Sequence, residues 1–289
     1  MRTENTAFLT AIAIVAFAAN SVLCRLALGQ DLIDAASFTS IRVISGAGVL
    51  ALIVLIRQHK GRMKSDWRPG LALFIYMVFF SFAYVSLGVG TGALIAFGAV
   101  QLTMFAVALR GGEHFSLWSW FGLAIAIAGL VYLVAPGVTA PDPIGAALMV
   151  VAGVAWGCYS LLGRSASDPT QATAYNFLFS VPFVVLTSLL FIEDLEISMA
   201  GVSLAVASGA IASGLGYVIW YAALRGHTVT SAATVQLSAP VIAALGGVLL
   251  LAEDLTMRLV FASIATLGGV AIVLLQRKPV TDQPASESS

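Results

Sequence analysis

Charged side chains are scarce in this chain, and their scarcity excludes a water-soluble domain. Asp, Glu, Lys and Arg make up 10% of the 289 residues, whereas 60% are hydrophobic. A soluble domain carries about 25% charged residues. The sequence therefore predicts an integral membrane protein. The net charge of zero indicates nothing about partners, because only the placement of Lys and Arg is informative in such a chain.

Cysteine and histidine are also rare. Cys24 and Cys158 both fall in apolar segments, so we expect no disulfide framework. His59, His114 and His227 fall in separate loops without the spacing of metal ligands, so we expect no metal and no cofactor. The HExxH and GxSxG motifs and paired carboxylates are absent from the sequence. These absences argue against an enzyme.

Ten apolar windows are long enough to cross a bilayer, which takes about 20 residues of helix. They are 6–28, 35–56, 70–88, 91–109, 115–134, 144–163, 171–192, 199–224, 229–251 and 257–276. The first window is longer than the apolar part of a signal peptide, and Glu4 weakens its basic flank. We therefore expect it to remain as a membrane helix. The predicted fold is all-α, with ten transmembrane helices.

The basic residues predict the orientation of these helices. If the N-terminus is cytoplasmic, eleven of the fourteen Lys and Arg residues fall in cytoplasmic loops and tails, and only Arg258 lies in a loop on the other side. We therefore expect both termini to be cytoplasmic. The eleven are Arg2, Arg57, Lys60, Arg62, Lys64, Arg68, Arg110, Arg164, Arg225, Arg277 and Lys278.

The chain carries an internal duplication. Residues 92–114 resemble residues 232–254, so that Glu113 matches Glu253. Five helices per copy is an odd number, and the second copy therefore enters the membrane inverted, as in many secondary transporters. The predicted organisation is a first five-helix repeat at 1–135, a linker at 136–143, a second repeat at 144–278 and a disordered tail at 279–289.

Polar and aromatic residues recur in both copies and predict a central cavity. Phe17, Asn20 and Ser21 share one face of the first helix, and Trp156, Tyr159 and Ser160 share the matching face of the sixth. The alternative to cavity lining is that the polar side chains form hydrogen bonds between helices and the aromatic side chains pack in the core. Gln236 and Ser238 should face inward because lipid cannot satisfy them. The remaining candidates for binding are Phe79, Phe80, Phe97, Gln101 and Tyr217, and the candidates for gating are Tyr84 and Pro240.

Arg42 falls about two turns into the second helix, where an unpaired cation is costly. Because Asp31 and Asp34 are close in sequence, we expect an ion pair or snorkelling at the outer mouth. The alternative is a cation that attracts anionic groups to the cavity. None of the ten spans contains Asp or Glu, which favours neutral or zwitterionic solutes over cationic drugs and indicates no proton carrier.

Small residues and tryptophans predict further contacts. Gly122, Ala126 and Gly129 form a stripe on the fifth helix, and a matching stripe on the tenth would allow close packing.

Tryptophans near the helix ends are typical of membrane interfaces, and we favour that position for all four and for the adjacent tyrosine. These residues are Trp67, Trp118, Trp120, Trp220 and Tyr221.

The combined pattern resembles the drug/metabolite transporter superfamily, in its EamA-type branch. The residues that carry the resemblance are FAANSVLCR at 17–25, its counterpart WGCYSLLGR at 156–164, and Pro240 followed by Ala252-Glu253-Asp254. Within that branch the chain resembles bacterial exporters of aromatic amino acids, and the resemblance implies a basket-like bundle with a cavity between helices one, three, four, six, eight and nine. In one departure, Val100 stands where the first copy would carry a counterpart of Pro240.

The resemblance implies a secondary transporter of the bacterial inner membrane that exports small neutral metabolites, including aromatic amino acids, by alternating access, with a monomer sufficient. Its partners would be the solute and the bilayer, and no nucleic acid. Alternatives are export of drugs, nucleosides or sugar-like solutes, and proton-coupled antiport. A receptor or assembly subunit would not need polar faces in both copies.

Overall fold

The computed structural model describes residues 3–57, 66–112, 115–163, 166, 168–224 and 235–275. Glu113, Arg164 and the three histidines lie outside these residues. Over the described part the chain is helical without strands, with one isolated bridge between Ile33 and Ile197. The helices are α1 (Thr3–Leu28), α2 (Ala35–Ile56), α3 (Trp67–Ser86), α4 (Val89–Arg110), α5 (Leu117–Val134), α6 (Pro143–Gly163), α7 (Pro169–Leu190), α8 (Met199–Val206, Ala207–Leu215 and Gly216–Leu224), α9 (Ser238–Leu251) and α10 (Met257–Leu275).

Nine of the described helices are long and apolar enough to span a membrane, and α9 is a shorter apolar helix. The predicted all-α membrane fold is confirmed. Short polar side chains set where helices begin, because a side-chain oxygen at the N-cap satisfies an unpaired backbone N–H. Asp34 accepts a hydrogen bond from the Ser37 amide in this way, and Asp168 accepts from the amides of Thr170 and Gln171.

The eighth span is irregular at its centre. Ala207–Leu215 forms a π-helix between two α-helical segments. This π segment packs on α2, where Gly209 touches the backbone carbonyl of Arg42 so closely that a Cβ would overlap it. Wide turns of this kind often occur at functional sites. The sequence window at 199–224 predicted the span but not this change of winding.

The ninth span is broken rather than continuous. The window at 229–251 predicted one helix, but Val235 and Gln236 are followed by a turn at Leu237, and α9 begins at Ser238. Pro240 lies in the first turn of α9. Because proline has no N–H, it cannot donate to the carbonyl of Gln236, and its ring crowds that carbonyl.

Helices of the two predicted copies pair in a symmetric pattern, and three of the pairs join equivalent helices. Helix α2 packs on α7, α4 on α9 and α5 on α10, while α3 packs on α6 and α1 on α8. Helix α4 also packs on α6, and α1 on α9. This set of neighbours is unchanged when the two copies are exchanged, as a twofold relation between them requires.

The small-residue stripes of α5 and α10 lie against each other. A Cβ at Gly122 would be 2.6 Å from the Gly269 carbonyl oxygen, and a Cβ at Gly129 would be 2.6 Å from Thr266 Oγ1. Ala126 lies between them and is 1% exposed. At Gly122 and Gly129 only glycine allows this backbone approach without a shift of the neighbouring helix.

The tryptophans divide into two groups. Trp67, Trp118 and Trp120 are exposed on the bundle surface, where the sequence placed them. Trp220 is only 8% exposed, and its ring centroid lies 5.7 Å from that of Phe17. The predicted interfacial position of Trp220 is therefore wrong, because it packs inside the bundle against α1.

Candidate functional site

A cavity lies inside the bundle between α1, α3, α4, α6 and α8. Its interior volume is about 40 Å³, which is room for a few water molecules, so the wall would have to open to admit a larger solute. Its lining residues are Phe17, Asn20, Ser21, Tyr76, Phe80, Ala96, Phe97, Val100, Gly153, Trp156, Ala212, Ser213 and Tyr217. No described residue of α9 is among them, although the resemblance implied a lining from that helix.

Aromatic residues make up six of the thirteen that line the cavity. The Trp156 ring lies 6.4 Å from Phe17, 4.8 Å from Tyr76 and 5.2 Å from Tyr217 between centroids. Tyr76 continues the row to Phe80 at 5.1 Å. Phe17 and Trp156 occupy matching positions of the two predicted copies, so the wall is built from both. Such a wall suits a flat apolar group.

The polar groups of the cavity lie mainly on α1 and α8. Asn20 and Ser21 are buried, and the Asn20 Oδ1 atom accepts a hydrogen bond of 2.7 Å from Ser208 Oγ on the π segment of α8. This bond fixes the orientation of the Asn20 amide and places its NH₂ group as the remaining donor. Ser213, on the same π segment, adds a buried hydroxyl.

Arg42 lies behind this wall and is 0% exposed. Its Nη2 atom donates to Tyr76 Oη and to Ser213 Oγ, each at 3.4 Å. The expected ion pair with Asp31 or Asp34 is absent, and the structure corrects that prediction. The oxygens of Asp34 accept from the backbone amides of Ser37 and Glu196, and eight residues of helix place Arg42 about 12 Å further into the bundle.

Seven of the thirteen predicted binding residues come together at the cavity, and six do not. Gln101 is buried beside Val100 on α4, whereas Phe79 packs against the core next to Phe80. Tyr159 is buried behind the Trp156 ring at 5.3 Å, and Ser160 is half-buried on α6. Gln236 and Ser238 flank the turn at Leu237, where Ser238 Oγ donates to the Val235 carbonyl.

The two predicted gating residues lie away from the cavity. Tyr84 is fully buried at the end of α3, with its hydroxyl 3.4 Å from the Val89 carbonyl that accepts from it. Its ring lies 4.8 Å from Phe80, which connects it to the cavity wall. Pro240 is buried at the break before α9.

Six lining residues were not predicted from the sequence, of which Tyr76 and Ser213 carry hydroxyl groups and the other four are apolar or glycine: Ala96, Val100, Gly153 and Ala212. A signal for two of them was present in the repeat. Tyr84 and Tyr221 are 137 positions apart, and the same spacing relates Tyr76 to Ser213. Phe80 is related to Tyr217 in the same way, so the wall positions of α3 recur on α8.

Among the described residues no cluster of His, Cys, Asp and Glu could hold a metal ion. The cavity therefore offers hydroxyl and amide groups, aromatic faces and one cation behind them. This set can bind and orient a solute of mixed polarity.

Comparison with known proteins adds a family to this geometry. The model of the EamA-like transporter family matches residues 143–275, which begin with α6 and end with α10. An uncharacterized protein of Pseudomonas aeruginosa is 47% identical over 96% of this chain and 97% of its own length. An uncharacterized transporter of Archaeoglobus fulgidus is 29% identical over 70% of this chain and 74% of its own.

A second uncharacterized transporter, from Bacillus subtilis, is 24% identical over 80% of this chain and 81% of its own length. A solved crystal structure with 22% identity superposes with a TM-score of 0.65 and covers 92% of this chain and 98% of the solved chain. That likeness concerns the fold.

Proposed function

This chain belongs to the EamA-like transporter family, and from that premise we propose that it exports small neutral metabolites, above all amino acids with bulky or aromatic side chains, across the bacterial inner membrane. The resemblance recognised in the sequence is confirmed for the family. Relatives named as transporters and the apolar helices indicate a multi-pass membrane transporter rather than an enzyme.

The observation that carries the substrate proposal is the composition of the cavity. Aromatic rings of Phe17, Tyr76 and Trp156 face a buried polar group at Asn20. An aromatic or branched side chain would lie on the rings, while its amino and carboxyl groups would bond the amide and hydroxyl groups. Each group of such a solute then has a complementary surface within one small space.

The relation between the two copies supports alternating access. Phe17 of one copy and Trp156 of the other face the same cavity, and helices of the two copies pair across the bundle. Rocking of one copy against the other would expose such a site to either side in turn. In this proposal the solute gradient sets the direction of transport.

Cationic drugs fit this cavity less well. Among the described residues that line it, none is Asp or Glu, whereas carboxylates within the membrane are the usual means of binding cations or carrying protons. We therefore propose transport without a strict proton requirement.

The test is flux through purified protein in liposomes. Liposomes loaded with unlabelled phenylalanine should accumulate external labelled phenylalanine by counterflow. Liposomes without internal phenylalanine, or without the protein, should not accumulate it. Tryptophan and leucine should compete more strongly than glycine. Absence of counterflow with every amino acid tested would contradict the proposal, and uphill accumulation driven by a pH gradient alone would contradict its uncoupled form.

A further inference from the structure

The charge of Arg42 lies directly behind the cavity wall and faces no carboxylate among the described residues. The Nη2 atom is 3.4 Å from Tyr76 Oη and 3.4 Å from Ser213 Oγ, and both of these residues line the cavity. The only ion pair within the described part of the chain joins Arg25 to Glu253. Arg42 therefore carries a buried positive charge that the described protein does not neutralise.

The hydrogen bonds of Arg42 are also incomplete. A guanidinium has five N–H donors, yet the Nη1 contact to Cys24 Sγ is 4.0 Å long and Nε has no partner within the described residues. The rings of Tyr76 and Phe80 lie 5.6 and 5.3 Å from its central carbon and supply part of the stabilisation. A buried charge without a counter-ion is strongly unfavourable. An anion in the cavity would supply the missing partner.

We propose that Arg42 determines specificity by attracting the carboxylate of the transported solute, which the hydroxyls of Tyr76 and Ser213 bind in the cavity. The inference rests on the proposed function only in taking the solute to be an apolar carboxylate. A hydroxyl can accept from a guanidinium and donate its own proton to an anion. The two hydroxyls therefore connect the buried charge to the cavity.

The position of Arg42 relative to the two copies fits this role. Tyr76 and Ser213 occupy corresponding positions of the two copies, at the spacing of 137 that also relates Tyr84 to Tyr221. One guanidinium thus contacts a wall residue from each copy. A charge placed between the copies can hold a solute that is reached from either side of the membrane.

The role of Arg42 also predicts which of the two charged groups of an amino acid contributes more to binding. The cavity has a fixed cation behind one wall and no carboxylate among its described lining residues. The carboxylate of the solute is therefore required, and the ammonium group is dispensable. An aromatic carboxylate without an amino group should still bind.

The test compares two probes that differ by one charge. Binding of 3-phenylpropionate and of 3-phenylpropionamide is measured by isothermal titration calorimetry with the full-length protein in nanodiscs. The carboxylate should bind at least roughly tenfold more tightly than the amide, as a hydrogen-bonded charge requires. Phenethylamine, which lacks the carboxylate, should bind no better than the amide.

Variants assign the preference to Arg42. Arg42→Gln should reduce the ratio of the two affinities to near one, and Arg42→Lys should retain part of it. Ser213→Ala and Tyr76→Phe should each lower the ratio, and they decide the matter if the Arg42 variants do not fold. Arg57→Gln removes a cation from the exposed end of the same helix and should leave the ratio unchanged.

Equal affinities of the wild-type protein for the two probes would overturn the inference, as would absent binding of both or a preference that survives the Arg42, Ser213 and Tyr76 substitutions. These outcomes are separate from those of the counterflow assay, because binding is measured without transport. Counterflow of phenylalanine with no carboxylate preference would reject the role of Arg42 alone. A carboxylate preference without counterflow would reject the proposed transport alone.

Discussion

Arg25 and Glu253 form an ion pair that joins the two predicted copies at one end of the bundle. The Arg25 Nε atom lies 3.3 Å from Glu253 Oε1, and its Nη1 atom donates to the carbonyls of Tyr84 and Val85 at the end of α3. The other carboxylate oxygen of Glu253 accepts from the Val89 amide at the start of α4. A single pair of charges therefore connects α1, α3 and α4 to the segment after α9.

We predict that this ion pair holds that end of the cavity closed. Glu253→Gln keeps an acceptor for the Val89 amide but removes the charge. A partly buried pair contributes about 1 kcal/mol, so opening should become roughly fivefold more frequent. The measurement is the labelling rate of a cysteine placed at Ser21 in the cavity, in protein whose native cysteines are replaced by alanine.

The matched control for this ion pair is Glu196→Gln. Glu196 is exposed and outside any ion pair of the described residues, so its substitution should leave the labelling rate unchanged. Equal rates in the Glu253→Gln and wild-type proteins would contradict the prediction.

A second prediction concerns orientation. The asymmetry of basic residues predicts cytoplasmic termini and a cytoplasmic loop at 58–66. A cysteine introduced there should react with a membrane-impermeant thiol reagent only after cells are permeabilised, whereas one at Asp194 should react in intact cells. Labelling of the 58–66 loop in intact cells would reverse the topology.

The third prediction concerns the aromatic wall. Trp156→Ala removes the ring that contacts Phe17, Tyr76 and Tyr217. Counterflow of phenylalanine should fall by roughly one to two orders of magnitude, because losing a large aromatic contact surface costs a few kcal/mol of binding. Transport of alanine should change much less, since its side chain does not reach the wall.

Trp118→Ala is the control for the wall, because Trp118 is 63% exposed on the bundle surface. A similar loss for alanine and phenylalanine in the Trp156→Ala protein would indicate a folding defect instead of a lost contact. Asn20→Ala should lower transport of both solutes, whereas Gln236→Ala, beside the turn at Leu237 and outside the cavity lining, should lower neither by more than about twofold.

Part of the cavity wall is predictable from the sequence. Phe17 and Trp156 are predicted to lie at one cavity because each belongs to a polar and aromatic helix face that recurs in both copies. Helical spacing alone is enough to identify such a face. Gln236 was placed there on its polarity alone. Gln236 instead lies beside the turn at Leu237 and outside the cavity lining, and the periodicity of an apolar segment does not report such a turn.

Arg42 shows a different limit of the sequence. Asp31 and Asp34 are its nearest acidic neighbours along the chain, but Asp34 is used as the cap of α2. Its actual partners, Tyr76 and Ser213, are distant in sequence. A lone tyrosine in an apolar helix is indistinguishable from core packing until the helices are assembled.

The fourth prediction concerns the contact between α5 and α10. Gly269→Ala places a methyl group against the Gly122 carbonyl and the Ala126 amide, and overpacking of this kind costs about 1–3 kcal/mol. The midpoint of thermal aggregation in detergent should fall by several degrees. Gly268→Ala should leave it unchanged, because no atom lies within 4 Å of the added methyl. Equal midpoints for the two variants would show that the stripe tolerates side chains.

The last prediction concerns the break before α9, which the first copy lacks. Val100 stands where Pro240 has its counterpart, and α4 runs unbroken from Val89 to Arg110. Pro240→Ala restores an N–H that can donate to the carbonyl of Gln236 and so allows α9 to extend through Leu237. If the break is the hinge of one gate, the added bond should slow opening by roughly fivefold, because a helix hydrogen bond contributes about 1 kcal/mol.

This effect should appear in the rate of transport and not in affinity. The maximal counterflow rate should fall, while the dissociation constant for 3-phenylpropionate stays within about twofold, because Pro240 is outside the cavity lining and changes no contact to the solute. Pro182→Ala, in the interior of α7, controls for the general removal of a helix proline. An unchanged maximal rate in the Pro240→Ala protein would mean that the break is only structural. A slower rate at constant affinity would mean that the two copies, although related in sequence, open by different means, with a hinge in α9 and a continuous helix in α4.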